Sequence, residues 1–271
     1  MLLNGKKALI TGAAGILGSA IAELFVKQGC EVVIADVDER KLKAVADTLG
    51  ESYSGIEAVL LDVTDEDAVK RVMEGLDRLD ILINNAGVTR GKKIEELTLQ
   101  EWNTMLSLNL TSVYLCSQYA LPLLKQSCAP VIVNMSSINA IRMVPGFPVY
   151  SAAKSAIIAF TQQLALEAAA YGIRANCISP GRTGSEEQIQ ARMNDPKYKL
   201  EVDCYPIGRT GRPNDIANAA LFLSSELSAF ITGINLVVDG GLSLLNPTAL
   251  IRPDLRERWK KGEYRLEGIE A

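Results

Sequence analysis

Short apolar runs alternate with longer amphipathic stretches along most of the chain, and no other sequence feature limits the possible folds as strongly. Seven runs of four or five residues predict strands: Lys7–Thr11, Glu31–Ala35, Ala58–Leu61, Asp80–Asn84, Val131–Met135, Arg174–Ile178 and Ile234–Val238. Such runs are typical of strands buried on both faces, and the stretches between them have helical length. The sequence therefore predicts a single α/β domain, a doubly wound parallel seven-stranded sheet with helices on both faces.

A glycine-rich segment, TGAAGILG, follows the first predicted strand directly and leads into a predicted helix. Its three glycines permit a tight turn, a close approach of backbone to a pyrophosphate, and close packing of helix on sheet. The free N–H groups at a helix N-terminus also attract phosphate oxygens. We therefore predict that a dinucleotide binds against Gly12, Ala14, Gly15, Ile16 and Leu17.

An acidic residue, Asp36, stands at the end of the second predicted strand, about 25 residues after the glycine-rich segment begins. Its carboxylate can accept hydrogen bonds from an adenosine ribose and would repel a 2′-phosphate. We therefore favour NAD over NADP as the cofactor. Two alternatives remain open: Arg40 could pair with a 2′-phosphate, and Asp36 could simply cap the next helix.

The sequence contains no histidine. Hydrolases of the usual Ser-His-Asp or Cys-His type and His-ligated zinc sites are therefore excluded, and we expect no metal site. Tyr150 and Lys154 are i and i+4 in a predicted helix, so both project from one face. Because an ammonium group stabilises a phenolate, Tyr150 is the predicted general acid/base, and Ser137 can hold the substrate oxygen beside it.

Several motifs occur in the order and spacing of one enzyme family. They are NNAG at 84–87, Asn109, Ser136-Ser137, the YSAAK segment from Tyr150 to Lys154, and Pro180-Gly181. With these motifs, residues 4–241 resemble the short-chain dehydrogenase/reductase family, which has a Rossmann-like fold and uses nicotinamide cofactors. The resemblance implies catalytic roles for Asn109, Ser137, Tyr150 and Lys154. It also implies that Asn109 bends its helix and holds a water linking Lys154 to solvent.

The resemblance implies further cofactor contacts. Asp62 and Val63 would border the adenine, and the segment Asn85, Ala86 and Gly87 would line the adenosine-ribose side. Pro180 and Gly181 would lie beside the nicotinamide, where Tyr150 and Lys154 also contact the cofactor. Members of the family are dimers or tetramers built through two long helices, so we expect a homo-oligomer formed through the predicted helices Leu99–Lys125 and Val149–Tyr171.

The chain departs from the family pattern at two places. Ile16 stands where the family's glycine-rich turn has its middle glycine, so the detailed geometry of this turn is not implied by the resemblance. After Gly181, Thr183 and Ser185 occupy positions where the family has an aliphatic residue and a threonine. We expect both to contact the cofactor, with the Ser185 hydroxyl bonding the carboxamide.

Two arginines are candidates for binding the substrate. Arg182 follows Gly181 directly, and Arg142 lies between Ser137 and Tyr150. Together they would suit a carboxylate or phosphate on the substrate. The alternative is that each pairs with a nearby carboxylate on the surface.

Two segments interrupt the regular alternation. Residues 182–213 form a long excursion after a strand, in a position where loops often cover ligands. The tail carries many charges of both signs, with Trp259 and Tyr264 among them. We therefore divide the chain into a dinucleotide-binding catalytic domain, 1–241, with a substrate lid at about 182–213, and a charged C-terminal extension, 242–271, expected to be solvated or docked on a partner.

Composition limits the partners and the compartment. The net charge of −4 and the pI of about 5.2 argue against nucleic acid or an anionic membrane as a partner. The chain lacks an apolar run of about 18 residues and an apolar segment near Met1 typical of a secretory signal. The five cysteines are scattered and odd in number, which favours reduced thiols. We expect a cytoplasmic protein.

The leading hypothesis is hydride transfer between NAD and a secondary alcohol or ketone of a small polar substrate, such as a polyol, sugar or hydroxy acid. A second hypothesis is a 3-oxoacyl thioester reductase. Enzymes of that kind usually prefer NADPH and need a basic docking surface, so Asp36 and the acidic pI disfavour it. A third is a catalytically silent dinucleotide-binding sensor or scaffold, which need not keep the four catalytic residues.

Overall fold

All seven predicted strands form, and they assemble into one parallel sheet. In the computed structural model, which describes residues 1–260, they are β1 (Lys7–Thr11), β2 (Glu31–Asp36), β3 (Ile56–Leu60), β4 (Ile81–Asn84), β5 (Val131–Met135), β6 (Arg174–Pro180) and β7 (Asn235–Val238). The strand order is β3-β2-β1-β4-β5-β6-β7. The direction of winding reverses between β1 and β4, which confirms the predicted doubly wound, Rossmann-like sheet.

Helices cover both faces of this sheet. They are α1 (Ile16–Lys27), α2 (Glu39–Gly50), α3 (Glu66–Gly75), α4 (Leu99–Leu106), α5 (Ser112–Leu124), α6 (Pro148–Ala168), α7 (Glu186–Arg192), α8 (Pro196–Asp203), α9 (Pro213–Ser224), α10 (Thr248–Ile251) and α11 (Pro253–Arg256). Across residues 1–260, no helix is long and apolar enough to cross a membrane.

Alternate residues of the central strands supply two separate cores. In β1, Ala8 and Ile10 belong to the core that includes α1 and α9, whereas Leu9 belongs to the core of the opposite face, which includes α3 and α5. In β4, Ile83 belongs to the first of these cores and Leu82 to the second. All five are fully buried. The apolar runs in the sequence therefore reflect strands covered on both faces.

The two longest predicted helices are not α-helical throughout, which their hydrophobic periodicity alone does not predict. The helix predicted over Leu99–Lys125 is α-helical on both sides of a π-helical turn, Ser107–Thr111. Such a turn holds an extra residue and often marks a functional site. The helix predicted over Val149–Tyr171 consists of α6 and a 3-10 turn, Ala169–Tyr171. It ends at Gly172, whose φ of 71° is left-handed.

The C-terminal extension packs against α8 as far as residue 260. The Asp203 carboxylate, at the end of α8, pairs with Arg256 at 3.2 Å and with Lys260 at 2.8 Å. Within the extension, the indole N–H of Trp259 donates to a backbone carbonyl at 3.1 Å. The described part of the extension is therefore attached to the segment predicted to be a lid. Tyr264 lies outside the described residues.

Candidate active site

A cavity of about 790 Å³ opens at the carboxyl edge of the sheet. Loops after neighbouring strands diverge where the strand order reverses, and doubly wound proteins bind their ligands in the resulting crevice. The sequence-predicted residues on its wall are Gly12, Gly15, Ile16, Leu17, Asp36, Asp62, Val63, Asn85, Ala86, Gly87, Ser137, Tyr150, Lys154, Pro180, Gly181, Arg182 and Thr183.

The glycine-rich loop has no room for side chains at two of its glycines. Gly12 has a φ of 63°, and a Cβ there would lie 2.7 Å from the Ala86 Cα; a Cβ on Gly18 would clash with the Gly12 carbonyl. The first turn of α1 has no side-chain cap, whereas α2, α3 and α4 each have one. Free N–H groups beside a crevice of bare backbone fit the phosphates of a dinucleotide.

Ala14, also predicted to contact the phosphates, lies off the cavity wall. Its N–H donates to Asp36 Oδ2 at 3.0 Å, and its side chain packs against a core. The loop therefore uses this residue to hold the carboxylate at the end of β2 in place.

The Asp36 carboxylate is fixed by two backbone amides at the wall of the cavity. Besides the Ala14 amide, the Asp38 N–H donates to Asp36 Oδ1 at 3.0 Å. Each oxygen retains a second acceptor position, which suits a pair of ribose hydroxyls. The cap of α2 is Asp38, which accepts from the Lys41 N–H at 3.0 Å, so the alternative that Asp36 caps this helix is wrong. Arg40 is exposed and does not belong to the wall.

The loop after β4 is tied to the glycine-rich loop. Thr11 Oγ1 accepts from the N–H groups of Asn85 and Ala86, both at 3.1 Å, and the Asn85 amide donates to the carbonyls of Thr11 and Gly12, both at 3.0 Å. Gly87 follows, and a Cβ there would lie 2.8 Å from the Asn109 Oδ1 atom. The wall between the two loops is therefore backbone, as close binding of a cofactor requires.

Asn109 lies in the π-helical turn and is fully buried behind this wall. Its Nδ2 donates to the Met105 carbonyl, and its Oδ1 accepts from the Val88 N–H, both at 3.1 Å. The π turn directs this amide at the loop after β4 and so fixes that loop. The predicted bend of the helix has its structural counterpart in this turn, and the water-holding role stays a prediction.

Tyr150 and Lys154 both face the cavity from α6. Lys154 Nζ lies 5.7 Å from the centroid of the Tyr150 ring and donates to the Met135 carbonyl at 2.9 Å. The Lys154 side chain is almost entirely buried, and this burial lowers its pKa from 10.5 to about 8. At neutral pH the amine is therefore still protonated and places a cation beside the phenol.

Two adjacent serines at the end of β5 have different environments. Ser136 Oγ donates to the Lys154 carbonyl at 2.8 Å and so fastens α6 to the sheet. Ser137 Oγ accepts from the Asn139 N–H at 3.2 Å, which leaves its own O–H available as a donor. Of the two hydroxyls, Ser137 is the one that can hold a substrate oxygen.

Besides Ala14 and Asn109, two further predicted site residues, Ser185 and Arg142, do not line the cavity. Ser185 caps α7: its Oγ accepts from the Gln188 N–H at 3.3 Å, and Gln188 Oε1 accepts from the Ser185 N–H at 3.1 Å. Arg142 Nε donates to the Ser243 carbonyl at 3.1 Å and its side chain does not reach the wall. The Ser185 hydroxyl and the Arg142 guanidinium are therefore hydrogen-bonded to backbone groups outside the cavity.

The segment after β6 contributes two wall residues that the sequence reasoning missed, Glu201 and Tyr205. Glu201 is carried by α8, which was not predicted because its composition is polar. The dipeptide Asp195-Pro196, with the aspartate as N-cap and the proline in the first turn, is a helix-start signal that could have revealed it. The prediction that residues 182–213 form a lid stays a prediction.

Comparisons with known proteins agree with this geometry. A family model described as enoyl-(acyl carrier protein) reductase matches residues 12–243. The 3-oxoacyl-(acyl-carrier-protein) reductase of Chlamydia pneumoniae is 37% identical over 246 residues, covering 89% of this chain and 98% of that protein.

Two solved structures are similar over nearly their whole length. A protein from Agrobacterium tumefaciens, provisionally named a gluconate dehydrogenase, has a TM-score of 0.85 at 31% identity and covers 90% of this chain and 98% of its own. A short-chain dehydrogenase/reductase from Burkholderia thailandensis has a TM-score of 0.84 at 32% identity, with coverages of 93% and 97%. With the family model spanning most of the sequence, the chain is an oxidoreductase and belongs to the short-chain dehydrogenase/reductase family.

Proposed function

We propose that this protein is an NAD-dependent dehydrogenase or reductase acting on a secondary alcohol or ketone of a small polar substrate. The observation that carries the proposal is a single cavity wall with Asp36 at one end and the Ser137, Tyr150 and Lys154 side chains at the other. A carboxylate suited to ribose and an acid/base group suited to an alcohol are thereby spaced along one crevice.

The chain's own residues would handle the proton and the substrate oxygen. Bound NAD would supply or remove a hydride at the substrate carbon. In oxidation, the Tyr150 phenolate would take the proton of the alcohol while the Ser137 hydroxyl holds the oxygen. The Lys154 ammonium favours that phenolate by proximity. Asn109 would act indirectly, by fixing the loop after β4.

We expect Asp36→Asn to weaken the preference for NAD over NADP. The change removes the negative charge and keeps one acceptor oxygen, which can bind the N–H of Ala14 or that of Asp38 but not both. Steady-state kinetics with both cofactors should show the ratio of their kcat/KM values falling at least about tenfold, or about 1.4 kcal/mol.

Glu39→Gln is the control for this experiment, because it removes a carboxylate from the first turn of α2 without touching the cavity. It should leave the cofactor ratio unchanged. A clear preference of the wild type for NADPH, or an unchanged ratio in Asp36→Asn, would contradict the assignment of NAD.

The second candidate is a reductase of 3-oxoacyl thioesters. The specific observation in its favour is the 37% identity with the Chlamydia pneumoniae reductase. Against it stand Asp36, which disfavours NADP, and the net charge of −4, which disfavours docking of an acidic carrier. A silent sensor or scaffold is disfavoured because Asn109, Ser137, Tyr150 and Lys154 are all present.

A substrate panel tested with both the NAD and the NADP forms of the cofactor, with turnover followed by the absorbance of the reduced nicotinamide, distinguishes the three candidate functions. It contains polyols, hydroxy acids and a 3-oxoacyl thioester. Oxidation of polyols or hydroxy acids supports the proposal, and turnover of the thioester alone would replace it with the second candidate. Tight NADH binding without turnover of any compound would favour the silent protein.

We also propose a homo-oligomer, a dimer or a tetramer, formed through the long helices. Exposed apolar side chains on α4, α5 and α6, namely Leu99, Tyr114 and Leu166, support this use of the surface. Light scattering of the purified protein measures the assembly, and a monomer at micromolar concentration would contradict the proposal.

A further inference from the structure

An ion pair stands at the substrate end of the cavity. Arg182, directly after the Pro180-Gly181 turn, places its Nε atom 3.1 Å from Glu201 Oε1 on α8. Both side chains belong to the cavity wall. The Arg182 side chain is 50% exposed and that of Glu201 is 25% exposed, so a molecule in the cavity can reach both groups.

Both partners are held in place by the surrounding structure. The Arg182 N–H donates to the Tyr205 hydroxyl at 3.1 Å, and its carbonyl accepts from the Gly211 N–H at 2.9 Å. Arg192 lies 3.6 Å from the second oxygen of Glu201. Because both members have these additional partners, the surrounding structure fixes the position of the ion pair beside the substrate end of the cavity.

The two charges on the wall at this end, Arg182 and Glu201, are of opposite sign, and Arg192, which pairs with the other oxygen of Glu201, lies off the wall. Asp36 and Asp62 lie on the cofactor side, and Lys154 is buried beside Tyr150, which leaves Arg182 and Glu201 to face the substrate. A substrate carboxylate that approached Arg182 would also approach the carboxylate of Glu201. Like charges at short range oppose binding, so the pair disfavours acidic substrates.

We infer that Arg182 and Glu201 together select a neutral, polyhydroxylated substrate. A guanidinium can only donate hydrogen bonds and a carboxylate can only accept them, whereas each hydroxyl does both. Neighbouring hydroxyls can therefore accept from Arg182 and donate to Glu201 without leaving either charge unpaired. An ion pair of this exposure contributes little to stability, so inserting hydroxyls between its members costs little.

This inference rests on the proposed function and narrows its substrate class from polyols, sugars and hydroxy acids to neutral polyols and sugars. It also revises the sequence-based idea that Arg182 and Arg142 bind an acidic group. Arg142 does not reach the cavity, and Arg182 is paired with a carboxylate.

The test uses pairs of compounds that differ only at C1: D-glucitol with D-gluconate, galactitol with D-galactonate, and xylitol with D-xylonate. The wild type should turn over at least one polyol with a higher kcat/KM than its acid. In Glu201→Gln, we expect the KM for the polyol to rise about tenfold with little change in kcat, since an acceptor for its hydroxyls is weakened. The KM for the acid should fall.

The ratio of the two kcat/KM values is the decisive readout, because general damage to the fold would lower both alike. Glu187→Gln is the matched control, since Glu187 lies on α7 and outside the wall; it should keep the ratio. Arg182→Gln provides a second variant should Glu201→Gln fail to fold, and it should also raise the KM for the polyol.

Two results would overturn the inference and leave the proposed function standing: a wild type that prefers the acids, or a Glu201→Gln variant with an unchanged ratio. If Glu201→Gln cannot be folded, an unchanged KM for the polyol in Arg182→Gln has the same consequence. Turnover of a 3-oxoacyl thioester with none of the six compounds used would overturn the proposed function as well.

Discussion

Tyr150→Phe should lower kcat at least about 100-fold while the protein still folds and binds NADH. The change removes one oxygen atom, the only group at that position that can exchange a proton with a substrate alcohol, and losses of this size are typical when a general acid/base is removed. The chain has no histidine to substitute for it. The ring stays, so its packing on α6 and the 5.7 Å approach of Lys154 Nζ should persist.

The control is Tyr171→Phe, the same chemical change in an exposed ring just after α6. It should leave kcat within about twofold, because Tyr171 does not belong to the cavity wall. NADH binding, measured by fluorescence titration, separates loss of chemistry from loss of binding. Near-normal turnover in Tyr150→Phe would contradict the assignment of this residue as the acid/base.

The parts of the fold predicted best from the sequence are those buried on both faces. The bounds of β1 and β5 match the predicted runs, because burial on both faces favours apolar side chains at most positions of these strands. β3 begins at Ile56, two residues before its predicted start at Ala58. The exposed Glu57 interrupts the apolar run there, so the run alone did not indicate the first two residues of the strand. Length and composition thus locate a central strand better than an edge strand.

The candidate site was predictable where its residues follow strands, since the carboxyl ends of parallel strands meet at one edge. Predictions failed where a side chain has a partner that spacing does not reveal. Arg142 donates to the carbonyl of Ser243, about a hundred residues later in the chain. For Ser185 the signal was local: the segment from Ser185 to Gln188 has the pattern of a capping box. Glu201 depends on α8, whose polar composition resembles a loop.

Lys154→Met should lower kcat/KM at least about 100-fold, because the cation beside Tyr150 is lost. The same change should alter stability in a pH-dependent way. The wild type buries an ammonium whose pKa is lowered from 10.5 to about 8, whereas methionine of similar length buries no charge. Removing the buried charge stabilises the folded variant. In the opposite direction, the Met135 carbonyl loses its hydrogen bond from Lys154, which costs about 1–3 kcal/mol at every pH.

The sign of the pH dependence follows from which state binds the proton. Below pH 8 the lysine is charged in both the folded and the unfolded chain, so the wild type bears the full cost of burial. Between about pH 8 and 10.5 the folded protein has released the proton while the unfolded chain still binds it, so wild-type stability rises. The free energy of unfolding of Lys154→Met minus that of the wild type should therefore fall by about 3 kcal/mol between pH 7 and pH 10.5.

Urea unfolding of both proteins over this pH range measures the difference directly. Burial raises the pKa of the Cys30, Cys116 and Cys177 thiols to about 12, which destabilises both proteins alike above pH 9 and cancels in the subtraction. Lys70→Met, at a half-exposed lysine of α3, is the control and should give a small difference that is independent of pH. If the difference for Lys154→Met were equally flat, the Lys154 amine would have an ordinary pKa, and its charge would have to be solvated in the folded protein. Activity and stability therefore measure two separate properties of one residue: loss of turnover tests its role beside Tyr150, and the pH profile tests whether the cation that performs this role is buried.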